Sequence, residues 1–281
     1  MGTGVSLGNF LNHQLRRPAE AESAFRNGIT LDPDSSPLWN NLGDLLSEKP
    51  LQFAEAVSAN RQAIRIEPDN AWPWCNLGNL LSGRLNQFPQ AQAAYRRAIS
   101  SDSKWAQPWN GLGTLIARRQ LDRNDEAASA FLMSINLDTT QKAAWSNLTY
   151  LWSQEPGLVR NQTTENIHKL LSLAATPPEP PAALTQIVEI LWQAGKTQEC
   201  YAAAQQTGLL EKLRLRSRPL VEALQMAVEN KPLHLATLAA EVREASYLVL
   251  KRYAPEFAQR VAQELPSVVA SFTMPERIER E

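Results

Sequence analysis

Trp39-Asn-Asn-Leu-Gly43, Trp74-Cys-Asn-Leu-Gly78 and Trp109-Asn-Gly-Leu-Gly113 are one phrase written three times. Its leucine recurs beyond those copies: Leu7, Leu42, Leu77, Leu112 and Leu148 are separated by 35, 35, 35 and 36 residues. A second phrase follows at near-constant distance. Ala21–Phe25, Ala56–Asn60, Ala91–Tyr95 and Ala127–Phe131 each place an alanine four residues before a larger side chain, aromatic in three of the four. Pro33 and Pro68 close the first two units, and Ser103 and Thr139 stand in that place later. A period of about 20–50 residues signals stacked repeats, each too small to bury its apolar face alone.

Within a unit the apolar residues recur at helical spacing. Trp39, Leu42, Leu45 and Leu46 form one stripe, and Trp74, Leu77, Leu80 and Leu81 repeat it. Leu31-Asp-Pro-Asp-Ser35 reads as a helix stop and turn, because proline lacks a backbone donor and Asp and Ser favour turns. Gly43, Gly78 and Gly113 are expected where a partner helix comes close, offsetting the roughly 1 kcal/mol that glycine costs a helix interior. Trp39, Trp74, Trp109 and Trp145 are expected in the core, where burial removes roughly 150–250 Å² from water and is worth up to about 4–6 kcal/mol.

The phrases resemble the tetratricopeptide repeat, whose pattern W-x2-L-G-x2-Y…A-x3-F…P has a usual period of about 34 residues. The resemblance covers residues 1–154 and implies an all-α helix-turn-helix solenoid with a right-handed superhelix. The additional residue per unit is placed in the polar turns SEKPLQ, SGRLNQ and ARRQLDRN. Unit one is frayed, with Gly4 in the tryptophan position, as at an array edge or at a cut through a longer array. Unit five keeps Trp145, Leu148 and Trp152 but has Thr149 for the glycine and lacks the alanine phrase.

Residues 155–180 are read as a helix over 164–174 followed by the Pro-rich connector TPPEPP at 176–181. Leu184, Ile187, Val188 and Leu191, the turn Ala194-Gly195-Lys196, and Cys200, Tyr201 and Ala204 suggest a degenerate sixth repeat. The remainder of 181–281 is expected to be a helical capping bundle.

Composition bounds the function. Twenty-eight basic and 29 acidic residues give a net charge of −1, which argues against a nucleic-acid surface. No apolar run reaches the roughly 18 residues of a membrane span. Two distant cysteines with no pairing framework suit a reducing cytoplasm. His13, His168 and His234 have no ligand-spaced neighbours, and no phosphate loop or nucleophile motif occurs. The expectation is a non-enzyme without metal or cofactor. Lys212, Arg214, Arg216 and Arg218 are read as a solvated face rather than an anion site.

The resemblance also implies a concave groove lined by the first helices, at positions two before, one and two after, and five after the tryptophan. Those positions single out Asn41, Trp72, Asn76, Asn79, Asn110, Thr114, Asn147 and Tyr150 as contacts for a protein or extended peptide. An amide matches the donor and acceptor of a peptide unit, and an exposed tryptophan is a frequent interface anchor. The lysine that a carboxylate clamp needs one after the tryptophan is absent: Val5, Asn40, Cys75, Asn110 and Ser146 stand there. The function expected is a peptide- or protein-binding scaffold. Its rival is a subunit of a larger assembly, gripping partners through its ends and C-terminal helices.

Overall fold

The computed structural model describes residues 3–119, 123–177, 181–232 and 234–272. Part of the third intra-unit turn (120–122), the middle of the Pro-rich connector (178–180), Leu233 and residues 273–281 lie outside them. Among the described residues the chain is all helix, and it divides into two compact units, Met1–Ala144 and Trp145–Glu281.

The first unit holds α1 (Thr3–Asn9), α2 (Pro18–Leu31), α3 (Ser36–Ser47), α4 (Phe53–Ile66), α5 (Ala71–Gly83), α6 (Phe88–Ser101), α7 (Ala106–Arg119) and α8 (Asn124–Leu137). Each helix packs on the next, and α1, α3, α5 and α7 also pack successively on one another. The even-numbered helices lie further apart, so within this unit the odd-numbered helices form the inner wall.

The alanines Ala21, Ala56, Ala91 and Ala127 are completely buried and let paired helices approach. The glycines complete that fit. A Cβ on Gly78 would lie 2.8 Å from the Tyr95 ring, and one on Gly113 would lie 2.8 Å from Phe131. Asn60 fills the aromatic slot in its unit; its Nδ2 donates to the Ala56 carbonyl at 2.9 Å, while Oδ1 is buried with no partner.

One core expectation is corrected. Trp39, Trp74 and Trp109 are only half-buried. Their indole N–H groups donate to the carbonyls of Pro33, Pro68 and Ser103 at 2.8, 2.8 and 3.2 Å, latching each helix to the turn before it. Trp145, by contrast, is fully buried. Leu7, in register with the buried Leu42 and Leu77, is exposed because no described helix covers the outer face of α1.

Helix α9 (Lys142–Gln154) crosses the division between the units. The second unit continues with α10 (Pro156–Arg160), α11 (Thr164–Ala175), α12 (Leu184–Gln193), α13 (Thr197–Gln206), α14 (Leu209–Arg216), α15 (Arg218–Glu229), α16 (His234–Thr237), α17 (Ala240–Tyr253), α18 (Pro255–Glu264) and α19 (Pro266–Ala270). Gly195, at φ +80°, makes the left-handed turn between α12 and α13, which pack together.

The basic run is not simply a solvated face. Lys212 Nζ donates to the carbonyls of Ala175 and Pro177 at 2.7 and 2.8 Å, tying down the end of α11. The buried Glu222 carboxylate ion-pairs with Arg214 and Arg218 at 3.5 and 3.6 Å, and His234 Nε2 lies 3.0 Å from it.

Cys75 and Cys200 are fully buried, and burial pushes both thiols up to about 12. Native protein at pH 8 is therefore expected to resist alkylation by iodoacetamide, with both thiols reacting in denaturant. Stoichiometric labelling of the native protein would contradict this packing.

Candidate functional site

The inner wall of the first unit follows from helix register. Positions two and five after the tryptophan are exposed or half-buried on α3, α5 and α7, whereas Asn40 and Cys75, one after it, are buried. A chain of amides crosses this wall. Asn76 Nδ2 donates to Asn40 Oδ1 at 3.0 Å, Asn40 Nδ2 to Asn41 Oδ1 at 3.3 Å, and Asn41 Nδ2 to Asn9 Oδ1 at 3.1 Å. Asn41 and Asn76 thus bond across adjacent units. Each amide has more donor and acceptor capacity than this one bond uses.

A cleft of about 480 Å³ opens between α5 and α7. Asn79, Asn110 and Thr114 line it, together with Ser82, Tyr95, Arg118 and Arg119. The Tyr95 hydroxyl donates to Asn79 Oδ1 at 2.9 Å and lies 3.1 Å from Ser82 Oγ. Burial, opposed by the Ser82 hydrogen bond, raises the Tyr95 phenol to about 12, so it stays protonated at neutral pH. The Arg119 guanidinium sits 3.8 Å from the centroid of the Phe88 ring, a cation–π contact that orients it.

Trp72 is 59% exposed. Asn70 Oδ1 accepts from its backbone N–H at 3.1 Å, capping α5 and fixing the start of the helix. The Trp72 ring stacks on Trp105, with centroids 4.6 Å apart and planes at 29°. Trp105 precedes α7, so the stack joins consecutive repeats and leaves much of Trp72 open to solvent.

The expected contacts do not fall in one unit. Asn41, Trp72, Asn76, Asn79, Asn110 and Thr114 share the wall just described, whereas Asn147 and Tyr150 belong to the second unit. There Tyr150, 69% exposed, lines a cavity of about 290 Å³ with Glu189, Arg252 and Tyr253. Burial and then the neighbouring Glu189 raise the Tyr253 phenol to about 12.

Asn9, Ser82, Trp105, Arg118 and Arg119 join the first wall without any motif signal, and Tyr95, marked by the second phrase as a packing residue, joins it through its hydroxyl. Trp105 had one available clue: a tryptophan stands where Ser35 and Asn70 precede the corresponding helices. Of the histidines, His168 Nε2 lies 2.9 Å from Gln206 Oε1 and His234 faces Glu222. Among the described residues no group of three or more His, Cys, Asp and Glu side chains is arranged to hold a metal ion.

The tetratricopeptide-repeat family profile matches residues 59–93. No curated protein sequence matches the chain. Among solved structures it is similar to residues 41 to the end of MamA from Desulfovibrio magneticus RS-1. That match has 16% identity and a TM-score of 0.47, over 64% of this chain and 99% of that one. It is also similar to YrrB, described as a TPR protein with an unusual peptide-binding site. Here identity is 19% and the TM-score 0.44, covering 62% of this chain and 86% of that one. The Cut9–Hcn1 tetramer of the APC/C matches at 15% identity and a TM-score of 0.49, over 93% of this chain and 42% of that one.

Proposed function

For this chain, a tetratricopeptide-repeat protein, we propose that the inner wall of the first unit binds an extended segment of a partner protein. The observation that carries this reading is the Trp72–Trp105 stack, a large aromatic surface left open on a wall that is otherwise amides and polar cleft. Aromatic groups of this kind dominate interface energetics, while amides hold a backbone without selecting side chains. The role is a scaffold, not a catalyst, working in the cytoplasm and without nucleic acid or cofactor. Helices α12 and α13 serve as a degenerate sixth repeat, and the helices after them as its cap.

Capture of partners with the purified chain, identification by mass spectrometry and calorimetry on the purified pair would test the proposal. Asn76→Ala removes an amide from the wall and leaves a partner backbone group unpaired, so affinity is expected to fall by about 1–3 kcal/mol. Arg216→Ala, in the second unit, is the control and should bind normally.

A second reading has its own observation. Leu7, Phe10 and Leu15 are exposed on the first hairpin, and such apolar surface suits contact with another subunit. If Leu7→Ser and Phe10→Ser abolish partner capture while Trp72→Ala and Asn76→Ala do not, the assembly role replaces the groove role.

A further inference from the structure

The wall of the first unit is electrically polarised along its length. In the cleft between α5 and α7, Arg118 and Arg119 form no ion pair among the described residues. Phe88 holds the Arg119 guanidinium from one face. Tyr95 occupies Asn79 Oδ1, which leaves the Nδ2 donor of that amide directed away from the phenol. Guanidinium and amide N–H groups around one cleft suit an acceptor with several lone pairs, and a carboxylate is the acceptor that extended protein segments supply.

Two helices along, the sign reverses. Asp44 on α3 stands in the register position of Asn79 and Thr114, and Glu48 in that of Arg118. Burial pushes the Asp44 carboxyl above its ordinary range, the Glu48 charge adds to the rise, and His13 opposes it. Asp44 and Glu48 stand four residues apart at the end of α3, on one face of the helix, where like charges repel and a cation between them would relieve that repulsion.

We infer that the groove selects a segment by charge spacing, seating a carboxylate against Arg118 and Arg119 and a lysine or arginine over Asp44 and Glu48. The inference rests on the groove reading above. Helices α3, α5 and α7 pack in sequence. Two interaxial steps of about 8–10 Å span about 16–20 Å, or about five or six residues of extended chain. The ligand is therefore a segment whose acidic and basic side chains are separated by that distance, not a chain terminus or a phosphate polymer.

Selection from a random displayed peptide library on the full chain tests this. Enriched peptides are expected to carry Asp or Glu and Lys or Arg about five or six residues apart. Arg118→Glu/Arg119→Glu should weaken them by about tenfold or more. Asp44→Lys/Glu48→Lys should act similarly, and Arg118→Lys/Arg119→Lys should preserve the preference. Circular dichroism and melting of each variant separate lost binding from lost folding. Enriched peptides without a carboxylate, or binding unaffected by charge reversal, would overturn the inference. If such peptides still depend on Trp72 and Asn76, the groove reading survives and only charge selection fails. If they depend on neither, or if no peptide is enriched, both fail together.

Discussion

Phe131→Ala is expected to lower stability by about 3–5 kcal/mol, more than loss of any tryptophan from the repeated phrase in the first unit. Phe131 is 1% exposed, and its ring lies over Gly113, where even a Cβ would come within 2.8 Å. Truncation leaves a cavity between α7 and α8 that close packing on both sides cannot collapse into. Trp74→Ala should cost only about 1–2 kcal/mol, from one indole hydrogen bond and partial burial. The converse change is also informative. Gly113→Ala meets the Ala127 carbonyl at 3.1 Å as well as the ring, so overpacking is expected to cost about 1–3 kcal/mol. Denaturant unfolding of the three variants measures the order directly. A larger loss for Trp74→Ala than for Phe131→Ala would mean that the tryptophan is the core residue after all.

Trp72→Ala is expected to weaken the partner complex by about 2 kcal/mol or more and to leave the melting temperature almost unchanged. These effects separate because of where the ring sits. One face is already covered by Trp105, so the side chain is held in place before binding and little conformational entropy remains to be lost. Its exposed surface makes no core contact, so removal opens no interior cavity. Trp105→Ala should give a smaller loss of affinity, since it withdraws support rather than contact. Calorimetry on the captured partner, with thermal melts alongside, decides the matter. A Trp72→Ala variant that binds normally would remove the principal support for the groove.

The helical units were legible because their signal is local and repeated. Leucine, glycine and alanine recur at fixed intervals, and close helix pairing demands small residues at those places. Trp145 is buried as its spacing implies, but Trp39, Trp74 and Trp109 are only half-buried, for a definite reason. Hydrophobic size does not reveal that an indole N–H has a turn carbonyl within reach, and that bond draws the ring toward the surface. Leu7 shows the opposite limit: its register is that of a core leucine, but burial also needs a neighbour to cover it.

The candidate site was partly legible for the same reason. Asn41, Asn76 and Asn79 stand at repeated positions, so one register places them all on the odd-numbered helices. Their bonding was not legible, because Asn76 meets Asn40, and Asn41 meets Asn9, across about one repeat of chain. The same holds for Lys212, Arg214 and Arg218: four basic residues at alternate positions look like a solvated face. Arg218 reaches Glu222 as its neighbour one turn along α15, and only the folding of α15 against α14 brings Arg214 to the same carboxylate.

Sequence alone thus determined the helical repeat, its period, and the small residues that let helices pair, all set by contacts within or between neighbouring units. Tertiary structure decided which groups share the cleft of Asn79, Tyr95, Arg118 and Arg119, and that Trp105 backs Trp72. Those pairings join residues on different helices. Their distances depend on how the helices cross, a quantity that no single helix encodes.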